Sequence, residues 1–467
     1  MRCHSNGQGR PAGWRALVMG AALALLGMSG ASGAARAEES DELRRLAQQV
    51  EELRREIADL KSQAASDARL AELERRVDLV AGELEKLQLG EAMPVADTIE
   101  YGLGPAASKI YRTTQGLSIG GYGEMLYEGA DSTRDDGADS GRVDQVDLVR
   151  AIVYFGYKFN DRFLFNSEVE WEHAKTGGGN PGEVAVEFAY LDYLWRPQAN
   201  LRGGLLLVPM GLLNELHEPT VFLGARRPGV ESAILPSTWR ENGFGMFGDL
   251  GPWSYRTYLV NGLDASRFAA AGLRNGRQNG ARAKAQDLAW VGRLDYTGAP
   301  GLLAGASVYF GDSGQGLAFA GEEIGVGTRI LELHGDWRGR GLELRGLWAR
   351  ADLDDVAALN GALRLAGGGS VGERLSGGYL QAGYDLFARW PHGAQALVAY
   401  ARWEAYDTQE EVPAGFARNP ANDVESLTLG LAYRPIDQVI LKLDYQDLDN
   451  AARTGVDQIN LALGYIF

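Results

Sequence analysis

The chain has 467 residues and a formal net charge of −16 at pH 7, and its one cysteine, Cys3, lies close to the N-terminus. An acidic chain is a poor candidate for nucleic-acid binding, because phosphates attract basic surfaces. With one cysteine the chain holds no internal disulfide and no cysteine-ligated metal cluster.

The first predicted element is a secretory signal over residues 1–37. Three arginines among the first 15 residues form a basic start, residues 16–29 are apolar, and Ala35-Arg36-Ala37 has the small-x-small pattern of a cleavage site. The apolar run is shorter than the roughly 20 residues that a membrane-spanning helix needs, so cleavage is favoured over an uncleaved anchor. The segment carries four Arg and no acid, and its removal takes the formal charge to −20.

Residues 38–90 are predicted to form an α-helical coiled coil in the periplasm. Apolar residues recur every three or four positions, in two blocks whose registers differ by one residue. The blocks consist of Leu43, Leu46, Val50, Leu53, Ile57 and Leu60, then Leu70, Leu73, Val77, Val80, Leu84 and Leu87. So narrow an apolar stripe favours self-association over the packing of a lone helix. Residues 91–116 lack periodicity and are predicted to be a linker.

From Leu117 to the end, apolar residues alternate with small or polar ones, which is the period of a β-strand. Strands of about ten residues with one apolar and one polar face are typical of a transmembrane β-barrel. No stretch after residue 37 approaches 18 consecutive apolar residues, so a helical membrane protein is excluded. Residues 117–467 are therefore predicted to form an all-β, antiparallel barrel.

The joins between the predicted strands alternate between short and long. The sixteen predicted strands are 117–128, 146–159, 161–174, 183–196, 199–209, 240–249, 252–262, 287–298, 302–311, 328–338, 341–352, 376–387, 395–407, 425–436, 438–449 and 457–467. Short periplasmic turns and longer external loops are typical of outer-membrane barrels, and about 16 strands leave a water-filled lumen. A soluble β-sandwich is the alternative, because periodicity alone does not tell an inward apolar face from an outward one.

Several stretches of the sequence resemble the phosphate-selective porin family (O and P type) of outer-membrane porins. They are residues 116–124, the run 208–219 with residues 236–243, and the terminal Tyr465-Ile466-Phe467. The resemblance covers about residues 105–467. It implies a trimeric, ion-conducting barrel whose third loop folds inward to narrow the pore. It also implies that Tyr465 and Phe467 form the signal read by the outer-membrane assembly machinery.

The join from Met210 to Trp239 is the longest and carries charges of both signs. If it folds into the channel, its side chains set a transverse field that selects solutes by charge and size. The predicted constriction residues are Arg226, Arg227, Arg240, Glu215, Glu218 and Glu231. The alternative is an external loop with ordinary solvated charges.

Strand parity predicts which charged side chains face the lumen, since lumenal residues alternate with lipid-facing ones. The predicted lumen-facing residues are Arg150, Glu168, Glu170, Glu172, Arg293, Glu332, His334, Asp336, Arg434 and Lys442. Their mixed charge fits a general porin as well as an anion-selective one.

Together these features predict an outer-membrane porin for passive diffusion of small hydrophilic solutes or ions, with anions such as phosphate among them. The expected partners are further copies of the chain in a homotrimer, outer-membrane lipid, lipopolysaccharide and the assembly machinery. No nucleic acid, cofactor, metal or enzymatic activity is expected, since the histidines lack metal-ligand spacing and no nucleophile-His-acid set is present. The alternative hypothesis is a structural tether, in which the coiled coil binds cell wall or an envelope partner and the barrel is an anchor.

Overall fold

A computed structural model describes residues 99–389 and 395–467, together with the single residues Arg75 and Ala96. The predicted signal, and the predicted coiled coil apart from Arg75, lie outside the described residues and stay predictions. Within the described part of the chain, no helix is long and apolar enough to cross a membrane.

The dominant element is a closed barrel of sixteen antiparallel strands. In chain order the strands are β1 Gly116–Ala130, β2 Gln145–Lys158, β3 Phe163–Glu172, β4 Val184–Arg196, β5 Ala199–Leu207, β6 Arg240–Leu250, β7 Trp253–Asn261, β8 Leu288–Tyr296, β9 Leu302–Asp312, β10 Ala318–Phe319, β11 Glu322–Glu323, β12 Gly327–Gly339, β13 Leu342–Leu353, β14 Arg374–Asp385, β15 Ala396–Glu411, β16 Asp423–Ile436, β17 Val439–Asn450 and β18 Gln458–Ile466. Strands β10 and β11 form a separate hairpin, which the sequence did not predict. The sixteen-stranded barrel is confirmed, and the alternative β-sandwich is wrong.

Closure depends on the pairing of the first strand with the last. Tyr122 on β1 lies opposite Ile466 on β18, and β1 also pairs with β2, so the sheet has no free edge. Glycines on β1 make room for the C-terminal aromatic rings, because a Cβ atom at Gly123 would collide with the ring of Tyr465. Tyr465 and Phe467 are 41% and 50% exposed on the outer surface, and their part in assembly stays a prediction.

Joins at one end of the barrel are turns, most of them of two to five residues, and joins at the other end are longer loops. The turn between β14 and β15 includes residues 390–394, which lie outside the described residues. The longest loops are L3, residues 208–239 between β5 and β6, and L4, residues 262–287 between β7 and β8. Both chain ends of the barrel therefore lie at its turn end, as an even number of strands requires.

The two faces of the strands differ in chemistry in the way that a membrane barrel requires. On β16, Leu427, Leu429 and Leu431 are 40–49% exposed, whereas Thr428 between them is 1% exposed. On β12, Leu333 is 49% exposed and the neighbouring Glu332 is fully buried. Apolar side chains thus face outward and polar side chains inward, the reverse of a β-sandwich.

Short helices lie inside the barrel and in its loops. They are α1 Lys109–Arg112, α2 Val230–Ala233 and α3 Val356–Leu363, with 3-10 turns at Pro219–Val221, Ala265–Arg267, Arg274–Gly276, Gly367–Gly369 and Pro420–Asn422. L4 reaches the β15–β16 loop, where Asn422 Nδ2 donates to Ala270 O at 3.0 Å. Because β7 and β15 lie far apart around the barrel, L4 extends across its loop-end mouth.

Candidate functional site

Loop L3 leaves β5 and folds into the barrel. Three of its backbone groups bond to side chains on strands that lie far from β5 in the barrel: Val221 O accepts from Arg345 at 3.0 Å, Gly224 O from Lys442 Nζ at 3.0 Å, and Ala225 N donates to Asp444 Oδ2 at 2.7 Å. These side chains lie on β13 and β17, whereas L3 begins at β5. The loop therefore crosses the barrel interior.

One asparagine, Asn214, links the two ends of L3. The Nδ2 atom of Asn214 donates to Val208 O at 2.6 Å and to Trp239 O at 2.9 Å, and Trp239 N donates to Asn214 Oδ1 at 2.6 Å. Both ends of the loop are thus held by a single side chain. These residues belong to the stretches that resemble the phosphate-selective porins, so the resemblance lies where the loop enters the barrel.

The three predicted constriction acids are buried and bonded within the fold. Glu215 lies 3.0 Å from an Arg256 nitrogen, Glu218 accepts from Ala106 N at 3.0 Å, and Glu231 accepts from Leu213 N at 2.6 Å and from Tyr379 OH at 2.8 Å. All three are at most 3% exposed. Burial raises the pKa of Glu231 and raises that of Glu218 to about 7. Their carboxylates anchor L3 and its neighbours rather than facing open solvent.

The three predicted constriction arginines have separate environments. Arg226 is 44% exposed at its side chain, and its Nε donates to Glu128 at 2.5 Å. Arg227 is half-buried and donates to His217 O at 3.1 Å, whereas Arg240 is buried and donates to Glu187 at 3.0 Å. Within L3, positive charge is therefore more accessible than negative charge.

The predicted lumen-facing residues lie on the interior face, and most of them form ion pairs there. Arg150 lies 3.5 Å from Glu124 and 3.6 Å from Glu170. Asp336 accepts from Arg345 at 2.7 Å, and Arg434 lies 3.4 Å from Glu343. Glu168 faces His217, Glu172 is half-buried at the loop end, and Lys442 binds L3. Their role in a pore stays a prediction.

A second interior network joins Arg293, Glu332 and His334 to residues that the sequence analysis missed. Asp295 accepts from Arg293 Nε at 2.9 Å, contacts Arg256, and lies 2.8 Å from His334 Nε2; His334 Nδ1 lies 2.8 Å from Glu332. Strand parity applied to β7 and β8 would have placed Arg256 and Asp295 on the interior face. Parity does not show which partners they meet across the barrel.

Residues 99–115, here called the inner segment, also lie inside the barrel. Tyr111 OH donates to Asp192 Oδ2 at 2.7 Å, and Ala107 O accepts from Asn166 Nδ2 at 3.0 Å. Leu103 and Ile110 are each 1% exposed. Residues 91–116 were predicted to be a linker, but their described part from residue 99 onward is folded against the inner wall. Its apolar residues are too few and too irregularly spaced to predict this packing.

Substitution of Asp444 tests how L3 is held in the barrel. Asp444 accepts from Ala225 N, from Tyr400 OH at 2.8 Å and from Asn460 Nδ2 at 2.8 Å. Hydrogen bonds to charged groups contribute about 1.5–3 kcal/mol each, so Asp444→Ala is expected to release L3. A thiol introduced by Leu223→Cys, at a side chain of L3 that is 1% exposed, should then be labelled at least about tenfold faster.

The matched control is Asp447→Ala, which removes a carboxylate of the same strand that points away from L3. It should leave the labelling rate unchanged. Equal rates in the two variants would mean that Asp444 does not position the loop.

Comparison with known proteins shows high similarity to a protein of another organism. No family model matches the chain. Over 392 residues the chain is 38% identical to an uncharacterized protein of Aquifex aeolicus (strain VF5), covering 82% of this chain and 87% of that protein.

The solved structures that are similar in fold include two outer-membrane proteins. One is Salmonella typhi OmpF in complex with daunomycin, with a TM-score of 0.51, 12% identity, and coverage of 76% of this chain and 98% of that one. The other is the outer membrane channel DcaP of Acinetobacter baumannii, with a TM-score of 0.50, 12% identity, and coverage of 75% and 97%. At this identity they support the barrel fold alone. The family follows from the sequence relative: the chain belongs to the same family as the Aquifex aeolicus protein.

Proposed function

We propose that the protein is an outer-membrane porin, through which small hydrophilic solutes diffuse passively. The observation that carries the proposal is the distribution of chemistry across the barrel wall. Leucines on β16 are 40–49% exposed outside, whereas ion pairs such as Arg256–Glu215 lie inside. An apolar exterior suits lipid, and a charged interior suits water. The similarity in fold to DcaP, described as an outer membrane channel, supports this proposal.

The passage is narrow, because L3 and the inner segment both occupy the interior. A cavity of about 430 Å³ lies at the turn end, lined by Tyr101, Glu215 and Arg256 among others. A cavity of about 120 Å³, lined by Glu172, Arg274 and other charged residues, lies at the loop end. Charged walls and small dimensions favour small, hydrated solutes.

Among ionic solutes, small anions such as phosphate are the favoured class in this proposal. The acids of L3 are buried and bonded, whereas Arg226 is 44% exposed at its side chain and Arg227 is half-buried beside it. Accessible positive charge at a constriction attracts anions and repels cations. The resemblance to phosphate-selective porins agrees with this preference.

Replacement of both arginines, Arg226→Ala with Arg227→Ala, is expected to move the reversal potential toward the equilibrium potential of the cation. The double variant removes two positive charges from the interior, so a shift on the order of 10 mV in a tenfold salt gradient is expected. Planar-bilayer recordings of the purified protein measure it. The control is Arg134→Ala, which changes a partly exposed arginine of the β1–β2 loop that pairs with Asp136 at 2.6 Å. An identical reversal potential in double variant and wild type would remove the pair from the constriction.

We propose that the protein assembles as a homotrimer, with the coiled coil of residues 38–90 in the periplasm. The heptad-like pattern of that segment supports self-association. In the tether hypothesis the same segment binds the cell wall, and deletion of residues 40–89 would then weaken the envelope. In the porin proposal that deletion leaves transport intact.

Liposome swelling with sugars of increasing size tests the proposal as a whole. Vesicles that hold the purified protein should swell rapidly in a small monosaccharide and progressively more slowly in larger oligosaccharides, because the interior is narrow. Vesicles prepared in the same way with the Leu429→Arg variant, which is expected not to insert, serve as the control. Swelling no faster than in protein-free vesicles would contradict the porin proposal.

A further inference from the structure

Three side chains of the types that bind metal ions, from separate elements, meet inside the barrel. His217 Nε2 of L3 lies 3.1 Å from Glu168 Oε1 of β3 and 3.5 Å from Glu187 Oε2 of β4. Ligand atoms of all three residues lie within 4.8 Å of one another, and each side chain is at most 2% exposed. The cluster joins L3 to the barrel wall.

The backbone fixes the orientation of the imidazole. His217 Nδ1 lies 2.9 Å from Asn214 O, and a carbonyl oxygen only accepts hydrogen bonds, so Nδ1 carries a proton. The lone pair of a neutral ring at Nε2 then faces two carboxylates. A histidine whose Nδ1–H donates to a backbone carbonyl is a common arrangement for a metal ligand that binds through Nε2.

Each carboxylate has one oxygen without a hydrogen-bond partner. Glu187 Oε1 accepts from Arg240, but Glu187 Oε2 and Glu168 Oε2 are buried and no described group donates a hydrogen bond to either. A buried carboxylate oxygen without a donor is unfavourable unless a proton or a cation lies beside it. This second observation, independent of the grouping itself, points to a cation in the cluster.

The interior network around His334 provides a contrast. There, too, carboxylates surround an imidazole, but Arg293 donates to Asp295 at 2.9 Å and Arg256 contacts the same carboxylate. Guanidinium groups thus already supply the positive charge. At His217, Arg240 bonds to Glu187 Oε1 and Arg227 bonds to the backbone oxygen of His217. Among the described residues, neither guanidinium reaches the carboxylate oxygens that lie closest to Nε2.

We propose that Glu168, Glu187 and His217 bind one divalent transition-metal ion of the zinc class. Bonds of about 2.0–2.2 Å to nitrogen and oxygen place neighbouring ligand atoms about 3.0–3.5 Å apart, close to the two distances from Nε2. One imidazole with two carboxylates is a donor set that such ions accept. The ion would fasten L3 to the β3–β4 wall. This inference concerns the loop's attachment and does not depend on whether the barrel conducts.

Metal analysis of the untagged, full-length protein tests the site. The protein is treated with a chelator, loaded with Zn²⁺ or Co²⁺ and dialysed. We expect one Zn²⁺ per chain, and with Co²⁺ a visible d–d absorption that Zn²⁺ abolishes. His217→Ala and the conservative Glu168→Gln should each weaken Zn²⁺ binding at least tenfold.

His173→Ala is the matched control. His173 is half-exposed, lies outside the cluster, and has its Nδ1 atom 2.5 Å from Asp147 Oδ2. The control variant should bind Zn²⁺ as the wild type does. Failure of the wild type to retain Zn²⁺ would overturn the proposal and leave a proton between the carboxylates and the imidazole. Equal binding in His217→Ala and wild type would assign the metal to another site and overturn it as well. The Co²⁺ spectrum of the wild type requires no variant, so the test stands even if a variant does not fold.

Discussion

Deletion of residues 99–115 is expected to raise the single-channel conductance about twofold or more. The inner segment lies within the barrel, where Leu103 and Ile110 are each 1% exposed and Tyr111 bonds to Asp192 of the wall. Its removal takes those side chains out of the barrel interior and so widens the passage. It also leaves Glu218 without the backbone donors Ala106 N and Ala107 N, so L3 loses one of its contacts.

The control is deletion of residues 40–89, which shortens the same N-terminal part of the chain but keeps the inner segment. That variant should conduct as the wild type does, measured per barrel in planar bilayers. Resistance to unfolding in detergent gels shows that each barrel has formed. A conductance that stays unchanged after removal of residues 99–115 would mean that the segment does not obstruct the passage.

Substitution Leu429→Arg is expected to abolish most insertion into lipid. Leu429 lies at the middle of β16 and is 49% exposed on the outer surface. A charged side chain at the bilayer midplane costs a β-barrel about 2–4 kcal/mol. Denaturant titration of folding into lipid vesicles measures this loss directly.

The matched control is Glu425→Arg, on the same face of the same strand and closer to the loop end. Glu425 is exposed and accepts from Trp403 Nε1 at 2.7 Å, so the position already holds a charge. Near the interface the same arginine costs about 0–1 kcal/mol. Equal destabilisation by the two substitutions would mean that β16 does not cross the bilayer in this orientation.

The barrel could be predicted from the sequence because its cause is local. Alternation at period two, as in Leu427-Thr428-Leu429, fixes each strand and its two faces without knowledge of any other strand. The turns are equally local, and their alternation with long loops gives the strand number. Closure of the sheet then follows, since an open edge is not stable in lipid.

The positions of L3 and the inner segment inside the barrel could not be predicted, because the contacts that hold them join residues far apart in the chain. Glu218 bonds to a backbone group 112 positions away, and Ala225 bonds to Asp444 across 219 positions. Parity shows that Glu168 faces inward, but not that Glu187 and His217 meet it. The inner segment has no period of its own, since it follows the shape of the wall.

The most direct test of the central claim, that the apolar side of each strand faces lipid and the charged side encloses a passage, is a planar-bilayer recording of the purified, folded protein. We expect discrete conductance steps in salt solution, which occur in groups of three in a trimeric channel. A folded sample that dissolves without detergent and produces no steps would contradict the claim.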